Sequence, residues 1–263
     1  MIRWVIAVTI VALCQIPIEG TATGLGTKHA GPKVTQPKSS QVICGPFAEA
    51  KNQPKPAPQI DQHAVDRIQH INKAVQTQPH SILFLGDSLT EDWDPTIWQQ
   101  YFAGRAPLNA GIQSDRTEHL LWRLLHGNLD GPSPHGVVLL IGTNDVGRNR
   151  PAEVIAQGTR ANLEVLRSRF PNTRVLLLGL LPRSQSPDSP RRQQIRHVNR
   201  LIQKCADGQY VFYADLGGSL LDTRGRLSPE TSPEGVNLRQ QGYAVLSRRL
   251  KIEIDRVLGG GRP

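Results

Sequence analysis

Apolar and polar positions along the chain follow two patterns, short uninterrupted apolar runs and longer stretches with helical spacing. The runs predict five strands, at 81–85, 107–111, 137–141, 174–178 and 210–213. Each run is bounded by turn-forming residues, which is typical of strands buried on both faces of a parallel sheet. Helical patterns separate them, the first over 60–75 and the last over 239–258. Strands that alternate with helices favour one α/β domain with right-handed crossovers.

Two aspartates are expected to cap helices within this domain. Asp94 precedes Pro95, a pair that resembles an N-cap followed by proline at the first helical position. Asp115 precedes a helical pattern whose apolar face includes Leu120, Leu121, Leu124 and Leu125. Both positions predict a helix that begins near the carboxyl end of the sheet.

The N-terminal 59 residues differ in composition from the domain. Residues 1–22 contain Arg3, then an almost entirely apolar run from 4 to 18, then small residues at 20–22. This layout predicts a secretory signal peptide and therefore an exported protein, with an uncleaved N-terminal anchor as the alternative. If the signal is removed, no stable membrane span is expected. Residues 23–59 are rich in proline and lysine and predict a flexible linker, and 259–263 a disordered tail.

Charge and cysteine content narrow the choice of partners. The 263-residue chain has a formal net charge of +9, but its lysines and arginines form no block and alternate with no aromatic residues. No nucleic-acid motif is present, whereas loose attraction to anionic cell-surface polymers fits the charge. Removal of a signal peptide would leave Cys44 and Cys205. In an exported chain they can pair, but two unpaired thiols remain an equal alternative because sequence does not supply their separation.

The predicted strands end in residues that suit acyl transfer. Strand 1 is followed by Gly86-Asp87-Ser88, strand 2 ends at Gly111 and strand 3 is followed by Asn144. Ligands bind outside the carboxyl ends of strands in open α/β sheets, so these residues can converge. Ser88 can act as nucleophile, with the backbone N–H groups of Ser88 and Gly111 and the Asn144 amide as oxyanion donors. Taken singly, Gly111 is equally read as a turn glycine and Asn144 as a cap.

The segments 86–89, Gly111 and 142–145 together resemble the first three sequence blocks of the SGNH (GDSL) hydrolases. Residues 109–117, 121–124 and 227–230 are similar to the platelet-activating-factor acetylhydrolase-like branch of that superfamily. The resemblance covers residues 60–258 and is carried by several motifs in order. It implies a three-layer flavodoxin-like fold with a five-stranded parallel sheet of order 2-1-3-4-5. It also implies an ester-cleaving activity that needs no metal and no cofactor.

The fourth sequence block departs from this family pattern. Where the family has an Asp and, three residues later, the catalytic His, this chain has Glu234 and Asn237. A glutamate can still orient a base, but the Asn237 amide can accept a hydrogen bond and cannot hold a proton near neutral pH. No histidine follows strand 5, so another histidine is not expected to replace it. Glu234 acting directly or through water is the remaining possibility for a base.

Two functions follow from this combination of residues. The first is an exported serine esterase that cleaves a small ester, such as an O-acetyl group on a carbohydrate, with an impaired or atypical base. The intact set of Ser88, Gly111 and Asn144 favours it. The second is a degenerate relative that binds acylated carbohydrate without turnover, which Asn237 favours. The oligomeric state has no signature in the sequence.

Overall fold

The computed structural model describes residue 44 and residues 55–259, all within one compact unit, Lys38–Pro263. The expected signal peptide, most of the expected linker and residues 260–263 lie outside the described residues. The five strands are β1 Ile82–Gly86, β2 Pro107–Gly111, β3 Gly136–Leu140, β4 Arg174–Leu178 and β5 Val211–Ala214. The helices are α1 Gln62–Thr77, α2 Ser88–Glu91, α3 Pro95–Phe102, α4 Thr117–Leu125, α5 Thr143–Gly147, α6 Ala152–Arg169, α7 Pro190–Ile202 and α8 Gln240–Leu258.

All five strands pair in parallel, in the order β2-β1-β3-β4-β5. This confirms the expected sheet, and the strand bounds differ from the apolar runs by one residue at most. Helices cover both faces of the sheet. In β1, Leu83 and Leu85 face one apolar core, and Ile82 and Phe84 face the other. The first core includes residues of α1, α4, α6 and α7, and the second includes residues of α3 and α8.

One of the two predicted helix caps is confirmed. Asp94 precedes α3 and accepts the backbone N–H groups of Thr96 and Ile97, each at 3.0 Å. The expected capping role of Asp115 is wrong, because α4 begins after Arg116 and the Asp115 carboxylate binds a buried arginine of that helix instead. Leu125, expected on the apolar face of α4, is also about half exposed.

The N-terminal segment meets the domain earlier than its composition indicates. Cys44 forms a disulfide with Cys205, which decides between the two alternatives for these thiols. The Ala57 N–H donates to the Glu118 carbonyl at 3.2 Å, and the Gln59 amide binds two oxygens of the domain. The last residues of the expected flexible linker are therefore part of the folded unit. Among the helices within 55–259, none is long and apolar enough to cross a membrane.

Candidate active site

The turn after β1 presents Ser88 as the first residue of α2. Gly86 is required there, because a Cβ at this position would lie 2.2 Å from Thr90 Oγ1 and 2.4 Å from the Leu140 carbonyl oxygen. Asp87 caps α2 by accepting the Leu89 N–H at 3.0 Å. Ser88 is half-buried. The Ser88 N–H belongs to the first turn of α2. N–H groups of a first turn have no acceptor within their helix, so this N–H can face a ligand.

Asp87, directly before Ser88, is completely buried. One of its carboxyl oxygens binds the Leu89 N–H, and the other has no hydrogen-bond partner in the described part of the chain. Burial raises the pKa of Asp87 to about 8, while the hydrogen bond from Leu89 acts in the opposite direction. Near neutral pH this carboxyl group is therefore largely protonated, and it is not a general base for Ser88.

Asn237 lies beside Ser88, as the sequence blocks imply for the fourth-block residue. The Ser88 hydroxyl donates to Asn237 Oδ1 at 3.4 Å. The loop that carries Asn237 is held mainly through its backbone, because Ser232 Oγ donates to the Asn237 carbonyl at 2.8 Å and the Ser184 N–H donates to the Gly235 carbonyl at 2.7 Å. Position 237, which the resemblance assigns to the base, thus lies within hydrogen-bonding distance of the Ser88 hydroxyl, but an asparagine side chain accepts no proton.

Glu234 is exposed and makes no hydrogen bond or ion pair with another residue of the described ranges. Its expected role beside the residue at position 237 therefore stays a prediction. Most described histidines are bonded elsewhere: His63 to Glu91, His80 to Gln78, His119 to Arg116, His126 to Trp122, His135 to Leu258 and His197 to Glu153. None of these bonds involves Ser88.

His119, whose Nδ1 lies 3.9 Å from Asp115 Oδ1, is in addition a poor proton acceptor. It is 8% exposed, and burial lowers its pKa to about 4, with the Arg116 guanidinium acting in the same direction. An imidazole with this pKa takes up protons only in acid, so it does not replace a base that works near neutral pH.

Asn144 occupies the position expected for an oxyanion donor, in the first turn of α5 after β3. It is half-buried, and its Nδ2 donates one hydrogen to the Asp115 carbonyl at 2.9 Å. An amide nitrogen carries two hydrogens, so this bond fixes the orientation of the side chain and leaves the second hydrogen for a ligand.

Gly111 was expected to offer its N–H to the oxyanion, and this expectation is wrong. The Gly111 N–H donates to Asn109 Oδ1 at 3.0 Å, and the Gly111 carbonyl accepts Arg67 Nε at 3.2 Å. Glycine is needed for another reason: a Cβ would lie 2.3 Å from the backbone nitrogen of Glu91. Gly111 therefore lets α2 pack closely on β2, and its amide is already occupied.

The N–H of Ser114 is the one left without an acceptor in this loop. The neighbouring N–H groups donate as follows: Ile112 to the Gly86 carbonyl, Gln113 to Glu91 Oε2 and Asp115 to the Ile112 carbonyl. Ser114 has a left-handed backbone, with φ of 63°, and no acceptor among the described residues. It directly precedes Asp115, whose carbonyl binds Asn144, so this N–H lies next to the predicted donor. The sequence pattern did not indicate Ser114 as a donor, because its N–H is left free only by the hydrogen bonds that the neighbouring residues make.

A buried ion pair beneath the site was also missed from the sequence. Arg123 is fully buried, and its Nε donates to Asp115 Oδ2 at 2.7 Å. Its Nη2 donates to the Gly86 carbonyl at 3.1 Å, two residues before Ser88. The only available signal was an arginine within the apolar stretch of α4. Among the described residues no cluster of histidine, cysteine and carboxylate side chains is suited to hold a metal ion.

Comparison with known proteins agrees with this geometry. Residues 84–245 match the model of the GDSL-like lipase/acylhydrolase family. A platelet-activating factor acetylhydrolase IB subunit beta homolog of Drosophila melanogaster is 33% identical over 216 residues, which cover 80% of this chain and 94% of the relative. The human platelet-activating factor acetylhydrolase IB subunit alpha1 is 34% identical over 188 residues, covering 69% and 80%.

Solved structures share the fold at lower sequence identity. A GDSL-like lipase from Bacteroides thetaiotaomicron has a TM-score of 0.61 and 22% identity, covering 73% of this chain and 97% of its own. A mutant of an acetyl-xylooligosaccharide esterase from Geobacillus has a TM-score of 0.55 and 18% identity, covering 70% and 96%. With the family match and the acetylhydrolase relatives, these findings show that the chain belongs to the GDSL-like lipase/acylhydrolase family, the SGNH hydrolases.

Proposed function

We propose that this protein is an exported serine esterase that removes a small acyl group, such as acetate, from a carbohydrate, and that it works with an atypical base. The observation that carries the proposal is the contact between Ser88 and Asn237 at 3.4 Å. Ser88 follows β1 at the carboxyl edge of the sheet, and this contact brings its hydroxyl beside the loop that carries Asn237. The Ser88 N–H, the second hydrogen of the Asn144 amide and the Ser114 N–H serve as oxyanion donors.

In the proposed reaction, Ser88 Oγ forms a bond to the ester carbonyl carbon, and the carbonyl electron pair moves onto the oxygen held by the donors. Collapse of this intermediate breaks the bond to the alcohol, which leaves with a proton. Water then attacks the acyl-serine, releases the carboxylic acid and restores the hydroxyl. Asn237 accepts the Ser88 hydrogen bond but takes no proton, so water or Glu234 must receive it. The slow step is therefore expected to be this proton transfer.

A carbohydrate alcohol fits a cavity beside the loop of Asn237. Its volume is about 430 Å³, and its polar lining residues are Gln185, Ser186, Asp222, Arg226 and Ser228. Gln185 connects the cavity to the loop, because its Nε2 donates to the Pro233 carbonyl at 2.9 Å. Hydroxyl groups of a carbohydrate can both donate to and accept from these polar residues. Pro187, Leu227 and Pro229 also line the cavity and can pack against the apolar face of a sugar ring.

Export is supported by the disulfide between Cys44 and Cys205. Disulfides persist in oxidising compartments and are rare in the cytosol. N-terminal sequencing of the protein recovered from outside the cytoplasm tests this part, and a mature terminus near residue 23 is expected.

The activity is tested with a chromogenic acetyl ester and with an acetylated oligosaccharide, by following acetate release. Turnover should disappear in Ser88→Ala, and kcat should fall by about 10²–10³ in Asn144→Ala with a smaller effect on KM, the usual cost of an oxyanion donor. The alternative is a protein that binds acylated carbohydrate without turnover, which Asn237 favours. Equal binding of the oligosaccharide by wild type and Ser88→Ala, with no acetate release by either, would establish that alternative.

A further inference from the structure

The segment before α1 is attached to the loop between β2 and α4, which contains Ser114, one of the three proposed oxyanion donors. Gln59 Nε2 donates to the Gln113 carbonyl at 2.9 Å and to Asp115 Oδ1 at 2.6 Å. Two residues earlier, the Ala57 N–H donates to the Glu118 carbonyl. Nearer the N-terminus, Cys44 is joined to Cys205 by a disulfide. A part of the chain that composition assigns to a linker thus contacts both the loop before α4 and the first turn of α4.

Asp115 connects that segment to both halves of the catalytic machinery. Its carboxylate is 1% exposed and receives Gln59 on Oδ1 and Arg123 on Oδ2. Its backbone carbonyl accepts Asn144 Nδ2 at 2.9 Å. Arg123 in turn donates to the Gly86 carbonyl, at the start of the nucleophile turn. A displacement of Asp115 therefore changes the direction of the Asn144 amide.

The Asp115 carboxylate depends on its two donors. Burial raises the pKa of Asp115, and the charge of Arg123 and the hydrogen bonds from Arg123 and Gln59 lower it. A buried acceptor that loses its donor is costly, so the surrounding loop rearranges to satisfy it. Arg123 is itself completely buried and is held by further bonds to Asn128 and to the Gly86 carbonyl. Gln59 is only half-buried and lies on a segment outside the sheet, so it is the adjustable member of the pair.

We propose that Gln59 is a positioning residue of the oxyanion hole, which holds Asp115 so that the Asn144 amide points at the developing charge. The role rests on the proposed function, because it concerns the same oxyanion hole. Gln59 does not touch the reacting atoms. It acts through Asp115, so its removal lowers kcat and leaves KM unchanged. An ordinary surface attachment of the segment predicts no change in either constant.

The test compares Gln59→Ala with Gln62→Ala in the full chain. Gln62 is a matched control because, among the residues the structure describes, its amide bonds to Asp66 alone, one turn further along α1, at 2.7 Å. In Gln59→Ala, kcat for the acetyl ester and the rate at which a fluorophosphonate labels Ser88 should both fall about tenfold, less than the 10²–10³ lost with a donor itself. KM should stay the same, and Gln62→Ala should match wild type. The melting temperature of Gln59→Ala should fall by a few degrees at most, because the buried Asp115 carboxylate loses one donor and keeps Arg123.

A second measurement needs no reaction at Ser88. The side-chain amide resonance of Asn144, assigned with Asn144→Ala, should shift in Gln59→Ala and not in Gln62→Ala. An unchanged resonance overturns the inference. So does a shifted resonance combined with unchanged labelling of an active Ser88, or an effect on KM alone. If Ser88 is inert in wild type and in Asn237→His, the proposed esterase fails, and the Asn144 resonance alone then decides whether Gln59 positions that amide.

Discussion

Replacement of Asn237 by histidine is the sharpest test of the proposed chemistry. The amide of Asn237 lies 3.4 Å from Ser88 Oγ, on a loop held mainly by backbone hydrogen bonds. An imidazole extends further from the Cβ than an amide does, so its outer nitrogen can close this gap to the 2.6–3.2 Å of a working general base. The substitution therefore supplies a proton acceptor without requiring the loop to move.

The size of the gain follows from how well the ring would be oriented. A positioned general base contributes about 10²–10⁴ in rate. Glu234, the residue expected to orient the ring, is exposed and makes no hydrogen bond or ion pair with another described residue, so we expect the lower end. A hundredfold increase in kcat/KM corresponds to about 2.7 kcal/mol of transition-state stabilisation. Removing Glu234 in the same variant should reduce the gain further.

The assay is hydrolysis of a chromogenic acetyl ester from pH 5 to pH 9. The activity gained should fall as pH drops through the imidazole pKa, near 6.5 if unperturbed, because the protonated ring cannot accept the Ser88 proton. The pH profile of wild type should not show this fall in activity. Asn237→Gln controls for side-chain size, and Asn172→His, at an exposed position before β4, controls for adding a histidine elsewhere. A folded Asn237→His variant that stays inactive would refute the reasoning and favour a binding protein. A wild type already as fast as the variant would mean that another group serves as base, with Glu234 the first candidate.

Three further predictions concern stability. In wild type, the folded state keeps the Asp87 proton up to about pH 8, whereas the unfolded chain loses it near pH 3.8. The free energy of unfolding should therefore fall as pH rises from 3.8 to 8, by several kcal/mol at most. In Asp87→Asn this pH dependence should flatten. If the free energy of unfolding, measured in urea at several pH values, changes with pH equally in wild type and Asp87→Asn, this prediction is wrong. Reduction of Cys44–Cys205, which spans 161 residues, should lower the free energy of unfolding by at most roughly 5 kcal/mol, measured in urea with and without reductant. Gly111→Ala should cost about 1–3 kcal/mol because its Cβ meets the Glu91 backbone, whereas Gly104→Ala, with nothing within 4 Å, should not.

The sheet could be predicted from the sequence because its signal is local. Each strand is an apolar run that ends in turn-forming residues, so the positions of Ser88 and Asn144 after β1 and β3 followed from the pattern, and the strand order followed from the resemblance to a known family. Asp94 was also predictable, since a cap needs only its own side chain and the next three backbone amides.

Contacts between distant polar groups could not be predicted in this way. The Gly111 N–H is lost to Asn109, two residues away, and the Ser114 N–H is left over only because each neighbour has found an acceptor. The contact between Gln59 and Asp115 joins positions 56 residues apart through one amide in a segment with no periodicity. Such bonds depend on where the folded elements place each group, and a pattern of apolar positions does not record them.

The question of enzyme or binding protein therefore depends on one side chain. The bonds that shape the loop at 232–237 run mainly through backbone groups, and the bond at position 237 itself uses its carbonyl, so they form whichever residue stands there. A well-built loop is accordingly no evidence that proton transfer occurs. The oxyanion donors are likewise suited both to binding an ester carbonyl and to stabilising its tetrahedral intermediate. Only a group that accepts the Ser88 proton distinguishes the two functions, which is why the pH profiles of wild type and Asn237→His separate them while the geometry serves both.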